Sequence, residues 1–380
     1  MVLASVTRWL TGFILAALLA TLGACGSDDD ARSLSLEDAV GQMLLIGFPG
    51  ERLDGETVAL LNDIAPGGVI LFDYDLPSGG AKPRNITSPE QLRALIAELQ
   101  AQAEIAYFIA IDVEGGLINR LKSGYGFSID LPSHQALGGG TAAETGAAAS
   151  ASATELRELG INWNLAPVVD VNVFPESPAI GALERSFSAD PEVVAAHAEA
   201  FAEAHGAAGV ISSLKHFPGH GSAAGDTHLG VTDVTSSFER EDELAPYRRL
   251  IEDGYEDAVM TAHIVNRDLD PSGRPATLST AIVTGLLREE LGFEGVILSD
   301  DMQMGAIVEQ YSLERAAVEA IKAGVDVILI ANQLSDDRTE VYRVKQAVLD
   351  AVAAGEIEED RIYESVDRIL ELKRRYNLID

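Results

Sequence analysis

Between Lys215 and His228 the chain gathers a base, an acid and three of its seven histidines on a stretch rich in glycine and proline. The run is Lys215-His216-Phe217-Pro218-Gly219-His220-Gly221, followed by Gly225-Asp226-Thr227-His228, and it comes directly after an apolar segment. One histidine in such a place is ordinarily a hydrogen-bonded structural group. Three beside a lysine and an aspartate point instead to proton transfer or ligand binding. His216, His220, Asp226 and His228 also carry donor atoms suited to a metal. Lys215 would set a positive charge beside that metal, however, and no His-x-Glu or His-x-His pair follows the first strand. A second constellation is Gly295-Val296-Ile297-Leu298-Ser299-Asp300-Asp301-Met302, an apolar run ending in two adjacent carboxylates. Side chains alternate along a strand, so Asp300 is expected to face a site and Asp301 to turn away, where an N-cap role suits it.

Such residues need elements to hold them. From Leu36 onward, short β-branched apolar runs alternate with longer amphipathic stretches, the pattern of parallel strands and crossover helices. Eight strands are expected: Met43–Gly47, Gly68–Phe72, Tyr107–Asp112, Asn162–Val171, Gly209–Lys215, Ala258–His263, Gly295–Ser299 and Val325–Ile330. Helices are expected at Pro89–Gln102, Ala142–Leu159, Pro191–Ala208, Glu241–Asp253, Thr280–Leu291, Leu313–Ala323 and Thr339–Ala354. Eight such units fit an α/β fold of the (β/α)₈ barrel type, with a doubly wound open sheet as the alternative. The polar residues favour the barrel. Asp112, Asp170, Lys215-His216, His263 and Asp300 all fall at C-terminal ends of different strands, where a barrel assembles its site.

With 380 residues, 47% hydrophobic and 23% charged, the chain is long enough for one large domain with a substantial core. Sixty acidic against 27 basic residues leave a formal charge of -33, which repels nucleic acid and anionic membrane surfaces. The acidity is spread along the chain and reads as a solvated surface. Near the start, Arg8 precedes an apolar run from Trp9 to Leu22 that ends in Leu22-Gly23-Ala24-Cys25. That is the pattern of a bacterial lipoprotein signal, in which the cysteine receives the lipid. Residues 1–24 are therefore expected as signal peptide, 25–35 as a polar tether after lipidated Cys25, and 36–380 as the barrel.

Five separated segments together resemble glycoside hydrolase family 3, in its single-domain β-N-acetylglucosaminidase branch. They are Ile111-Asp112-Val113-Glu114-Gly115-Gly116, Ala166-Pro167-Val168-Val169-Asp170-Val171, Glu184-Arg185-Ser186-Phe187, the run from Lys215 to His228, and Ser299-Asp300-Asp301-Met302. The resemblance implies that Asp300 is the nucleophile, His228 the acid/base and Asp226 its dyad partner. It assigns Asp112, Arg120, Arg185, Lys215 and His216 to holding the terminal sugar. His263 is expected as a wall of the pocket and His220 as structural. Two positions depart from the family's habit, Val113 and Leu117, where Gln and Arg are common. The activity implied is a retaining exo-β-N-acetylhexosaminidase that removes terminal N-acetylglucosamine from peptidoglycan or chitin-type fragments through a covalent glycosyl-aspartate. No metal or other cofactor is expected, nor a partner beyond carbohydrate substrate. A monomer is expected, tethered to a bacterial cell envelope through Cys25. A phosphorylase or β-glucosidase of the same family, a metal-dependent barrel hydrolase and a non-catalytic sugar-binding lipoprotein are the competing readings.

Overall fold

The computed structural model describes residues 31–332 and 337–380. The expected signal peptide and Cys25 lie outside the described residues. The eight strands that build the ring are β1 Leu44–Ile46, β2 Gly68–Ile70, β3 Phe108–Ile111, β4 Trp163–Asn164, β5 Leu214–Phe217, β6 Ala258–Thr261, β7 Val296–Ser299 and β8 Ile328–Ile330. Every residue in them is buried. This is the condition of parallel strands wrapped by helices, and it explains why most of them read as apolar runs.

The ring order is β8-β1-β2-β3-β4 in one parallel stretch and β5-β6-β7 in another. Parallel bridges join them, Trp163 to Ile211 and Val168 to Lys215 on one side, Leu298 to Val327 on the other. At these seams the Asn164 amide donates to the Ile211 carbonyl at 2.8 Å and the Ser299 amide to the Val327 carbonyl at 2.9 Å. The sheet thus closes on itself, which sets aside the open-sheet alternative. Helices Ala142–Leu159, Pro191–Ala208 and Leu313–Ala323 have the expected bounds, each opened by a Thr, Asp or Ser cap. Helices Leu36–Gln42, Gly55–Ile64 and Glu359–Arg375 lie outside the stretches named from the sequence.

Two expected strands change. Asn162–Val171 contracts to β4 because Pro167 has no amide to donate. Gly209–Lys215 shifts forward to β5, since Gly209, at φ +76°, closes the preceding helix. His216 as well as Lys215 therefore sits within the strand, at a shift of register between Leu214 and Phe217. The domain also begins earlier than expected. Ala31 is fully buried and the Ser35 hydroxyl accepts the Asp38 amide at 3.1 Å, so residues 31–35 belong to the folded domain, not to a tether.

Helix Glu359–Arg375 packs against helix Leu36–Gln42 and carries the fully buried Lys373. Its ammonium donates to Gln42 Oε1 at 2.9 Å and lies 4.9 Å from the Phe108 ring centroid. Burial pulls its pKa down to about 7. The unfolded chain then holds more protons than the folded one between pH 7 and the ordinary lysine range, so this group's contribution to stability rises with pH across that window. Lys373→Met is expected to raise Tm at pH 7 by roughly 2–4 °C. The gap should narrow toward pH 10 in a differential scanning fluorimetry series, and a constant gap would refute this account of Lys373.

Candidate active site

The strands deliver their polar ends to one pocket, lined among others by Asp112, Glu114, Arg120, Arg185, Lys215, His216, Asp226, His228, Asp300 and Asp301. At its base is a buried ion network. Lys215 Nζ lies 2.9 Å from Asp112 Oδ1 and 2.6 Å from Glu114 Oε1. Arg185 donates to both oxygens of Glu114, each at 2.8 Å, and Arg120 Nη2 reaches Asp112 Oδ2 at 3.4 Å. Burial by itself would raise both carboxyl pKa values. The cations outweigh it, Lys215 and Arg120 holding Asp112 down and Arg185 and Lys215 holding Glu114 well below the usual range. Burial likewise works against the charged form of Lys215, but Asp112 and Glu114 keep its pKa raised. Fixed charges of both signs therefore face the pocket, a lining suited to hydroxyl-rich ligands.

Glu114 is absent from the site residues expected from the sequence, although its motif is among those quoted. The signal was there. Asp112 and Glu114 are two residues apart in an extended segment and so share a face. In the structure Glu114 lies on the hairpin strand Val113–Gly115, paired with Ile118–Asn119, and joins the sites of Lys215 and Arg185.

Asp170, just past β4, organises the start of the histidine loop. Its Oδ1 accepts the amides of His216 at 3.1 Å and His220 at 2.7 Å, while Oδ2 lies 2.7 Å from His216 Nδ1. That leaves His216 Nε2 toward the pocket, 3.2 Å from Arg185 Nη2. Gly221 passes so close to the same segment that a Cβ there would sit 1.7 Å from the Val171 carbonyl oxygen. The His220 ring is buried behind the pocket with Nε2 3.2 Å from Thr227 Oγ1, so it ties the two ends of the loop together. Burial pushes its pKa down to about 4.

At the mouth, Asp226 Oδ1 accepts the His228 amide at 2.9 Å and lies 2.7 Å from His228 Nδ1. The carboxylate fixes the ring through Nδ1 and frees Nε2 for a ligand. The His228 side chain is 63% exposed, and the loop is docked by donation from Gly305 N to the His228 carbonyl and from Ala306 N to that of Thr227.

The two carboxyls after β7 are driven apart. Asp300 accepts the Asp301 amide at 2.8 Å. Burial would raise Asp300, but the fields of His216, His263 and His228 with that amide hold it at about 2. Asp301 is raised to about 7 by burial, reinforced by the charge of Asp300 and opposed by its bonds from the Ala331 and Gln303 amides. Asp300 is thus a carboxylate at neutral pH, and Asp301 ties β7 to the end of β8. His263 is not a pocket wall. It is fully buried, with Nδ1 2.8 Å from Thr277 Oγ1 and Nε2 3.0 Å from the Asp301 carbonyl, so both ring nitrogens are engaged behind Asp300.

The model of the glycosyl hydrolase family 3 N terminal domain matches residues 35–372. The chain is 33% identical over 374 residues to beta-hexosaminidase A of Pseudoalteromonas piscicida, covering 90% of this chain and 61% of that protein. It is 37% identical over 299 residues to a beta-hexosaminidase of Alkalilimnicola ehrlichii, covering 76% and 80%. A solved family 3 beta-N-acetylglucosaminidase from Paenibacillus sp. str. FPU-7 superposes with a TM-score of 0.83 at 38% identity, over 91% of this chain and 63% of that one. A beta-N-acetylhexosaminidase from Beutenbergia cavernae superposes with a TM-score of 0.80 at 31% identity, over 90% and 99%. This chain therefore spans under two thirds of the Pseudoalteromonas and Paenibacillus proteins and nearly all of the Beutenbergia one. With a closed barrel and a family model covering most of its length, the chain belongs to glycosyl hydrolase family 3.

Proposed function

We propose that this chain is a retaining exo-β-N-acetylhexosaminidase acting on terminal N-acetylglucosamine of peptidoglycan or chitin-type fragments. The observation that carries the reading is the pairing, in one pocket, of a carboxylate held ionised at about 2 and a histidine oriented by its own aspartate. In the first step Asp300 attacks the anomeric carbon as the bond to the leaving oxygen breaks, and His228 gives that oxygen its proton. In the second, His228 takes a proton from water, whose oxygen displaces Asp300 with retention. Asp112, Arg120, Arg185, Lys215 and His216 hold the sugar. The beta-hexosaminidase names of the relatives support the choice of sugar. The reading includes lipidation of Cys25 and residence at a bacterial cell envelope, tested by incorporation of a clickable palmitate in wild type and its loss in Cys25→Ser.

The direct test is product analysis on a simple N-acetyl-β-glucosaminide, with and without phosphate. Free N-acetylglucosamine is expected in both, and sugar 1-phosphate as the main product would reassign the chain as a phosphorylase. His228→Ala should lower kcat/KM on an alkyl glycoside by about 10²–10⁴-fold. The loss should shrink on a dinitrophenyl glycoside, whose leaving group needs no proton. An equal loss on both would remove His228 as the acid.

A further inference from the structure

Asp73 stands three residues past the end of β2, where the buried apolar run Val69 to Phe72 stops at a carboxylate, and its side chain is 1% exposed. The C-terminal end of a barrel strand is where the site is assembled, yet Asp73 is not among the residues that line the pocket. Its oxygens meet the hairpin after β3 instead. Lys122 Nζ lies 2.5 Å from Oδ2, and Arg120 Nη1 lies 3.9 Å from Oδ1.

The ion network at the base of the pocket alternates in sign from Arg185 through Glu114, Lys215 and Asp112 to Arg120. Asp73 and Lys122 carry that alternation onward, ending on a lysine side chain that is 51% exposed. Arg120 is the member that joins the two parts. Its Nη2 lies 3.4 Å from Asp112, its Nη1 faces Asp73, and its guanidinium lies 5.4 Å from the centroid of the Phe72 ring. Its Nε is buried and donates to nothing among the described residues. Hydrogen bonds alone therefore orient this guanidinium poorly. Asp112 is a shared guide, since Lys215 already holds it at 2.9 Å, so the carboxylate on the other Nη decides which way the planar fork faces.

We propose that Asp73 is a positioning residue for sugar binding, which holds Arg120 Nη1 from behind the pocket wall so that the remaining N–H groups meet a hydroxyl of the terminal sugar. This rests on the hexosaminidase reading above, in which Arg120 holds the sugar. A plain tie between the two loops through Lys122 would bury the same carboxylate, and the two roles part on substitution.

The test measures the Kd of N-acetylglucosamine by NMR titration, beside kcat on a chromogenic N-acetyl-β-glucosaminide. Asp73→Asn keeps the shape and removes the charge. It should raise Kd about tenfold, the worth of one misaimed charge-assisted hydrogen bond, with kcat within about threefold of wild type. Lys122→Met should leave Kd within about twofold. In an Arg120→Gln background, with no guanidinium to aim, adding Asp73→Asn should change Kd by less than about twofold. Should Asp73→Asn not fold, Asp73→Glu, which keeps the charge and moves it by one methylene, carries the same comparison. An unchanged Kd in the folded Asp73 variant would overturn the positioning role and leave the hexosaminidase reading standing. So would an equal rise in Lys122→Met, or a rise that persists in the Arg120→Gln background, either of which assigns Asp73 to the tie between loops. Wild type that neither binds the sugar nor turns over the glycoside would overturn both.

Discussion

Asp300→Ala is expected to reduce kcat on a chromogenic N-acetyl-β-glucosaminide by about 10⁴-fold or more while leaving the fold intact. The size follows from the place of this carboxylate. It is presented past the end of β7, lines the pocket, and is held ionised at about 2 by the field of three histidines and the Asp301 amide. Loss of the nucleophile removes the covalent step, so neither binding nor the acid can compensate. Asp301→Ala offers the contrast. It would cut the tie from Asp301 Oδ1 to the Ala331 amide and act mainly on stability. Wild-type turnover in Asp300→Ala would defeat the mechanism.

Glu114→Ala is expected to destabilise the protein by about 3–5 kcal/mol, read from the denaturant midpoint, because it leaves buried cations without their shared counter-ion. Lys215 and Arg185 both sit on Glu114, and Lys215 is 2% exposed. Lys215 would retain Asp112, whereas Arg185 would lose its bidentate partner and, with it, its aim at the pocket. KM should rise as the sugar-holding groups lose their positions. A loss below about 1 kcal/mol would show that these charges are solvated, in line with surface pairs.

The barrel and the polar ends of its strands were legible because both depend on local pattern. Fully buried parallel strands are mostly apolar, and a polar residue that interrupts such a run near its end stands out, as Asp112, Asp170 and Asp300 do. The Asp226-Thr227-His228 pairing could also be read locally, since its hydrogen bonds span two residues. What escaped depends on contacts between distant segments. The role of Glu114 is set by Arg185, 71 residues away, and by Lys215, and no periodicity encodes that. His263 sits at a strand end like the residues that line the pocket, yet Thr277 and the Asp301 carbonyl draw its ring behind it. His216 is in the strand because pairing resumes at Phe217 after a shift of register that follows Leu214. The burial of Ala31 is a tertiary fact that composition near a polar segment hides.

The central claim is that the sugar is carried on Asp300. Wild-type protein incubated with a fluorinated N-acetylhexosaminyl fluoride that forms the intermediate quickly and hydrolyses it slowly should gain one sugar mass, and peptide mapping should place it on Asp300. A sugar found on any other residue, or a turned-over reagent that never leaves a covalent adduct, would contradict the mechanism.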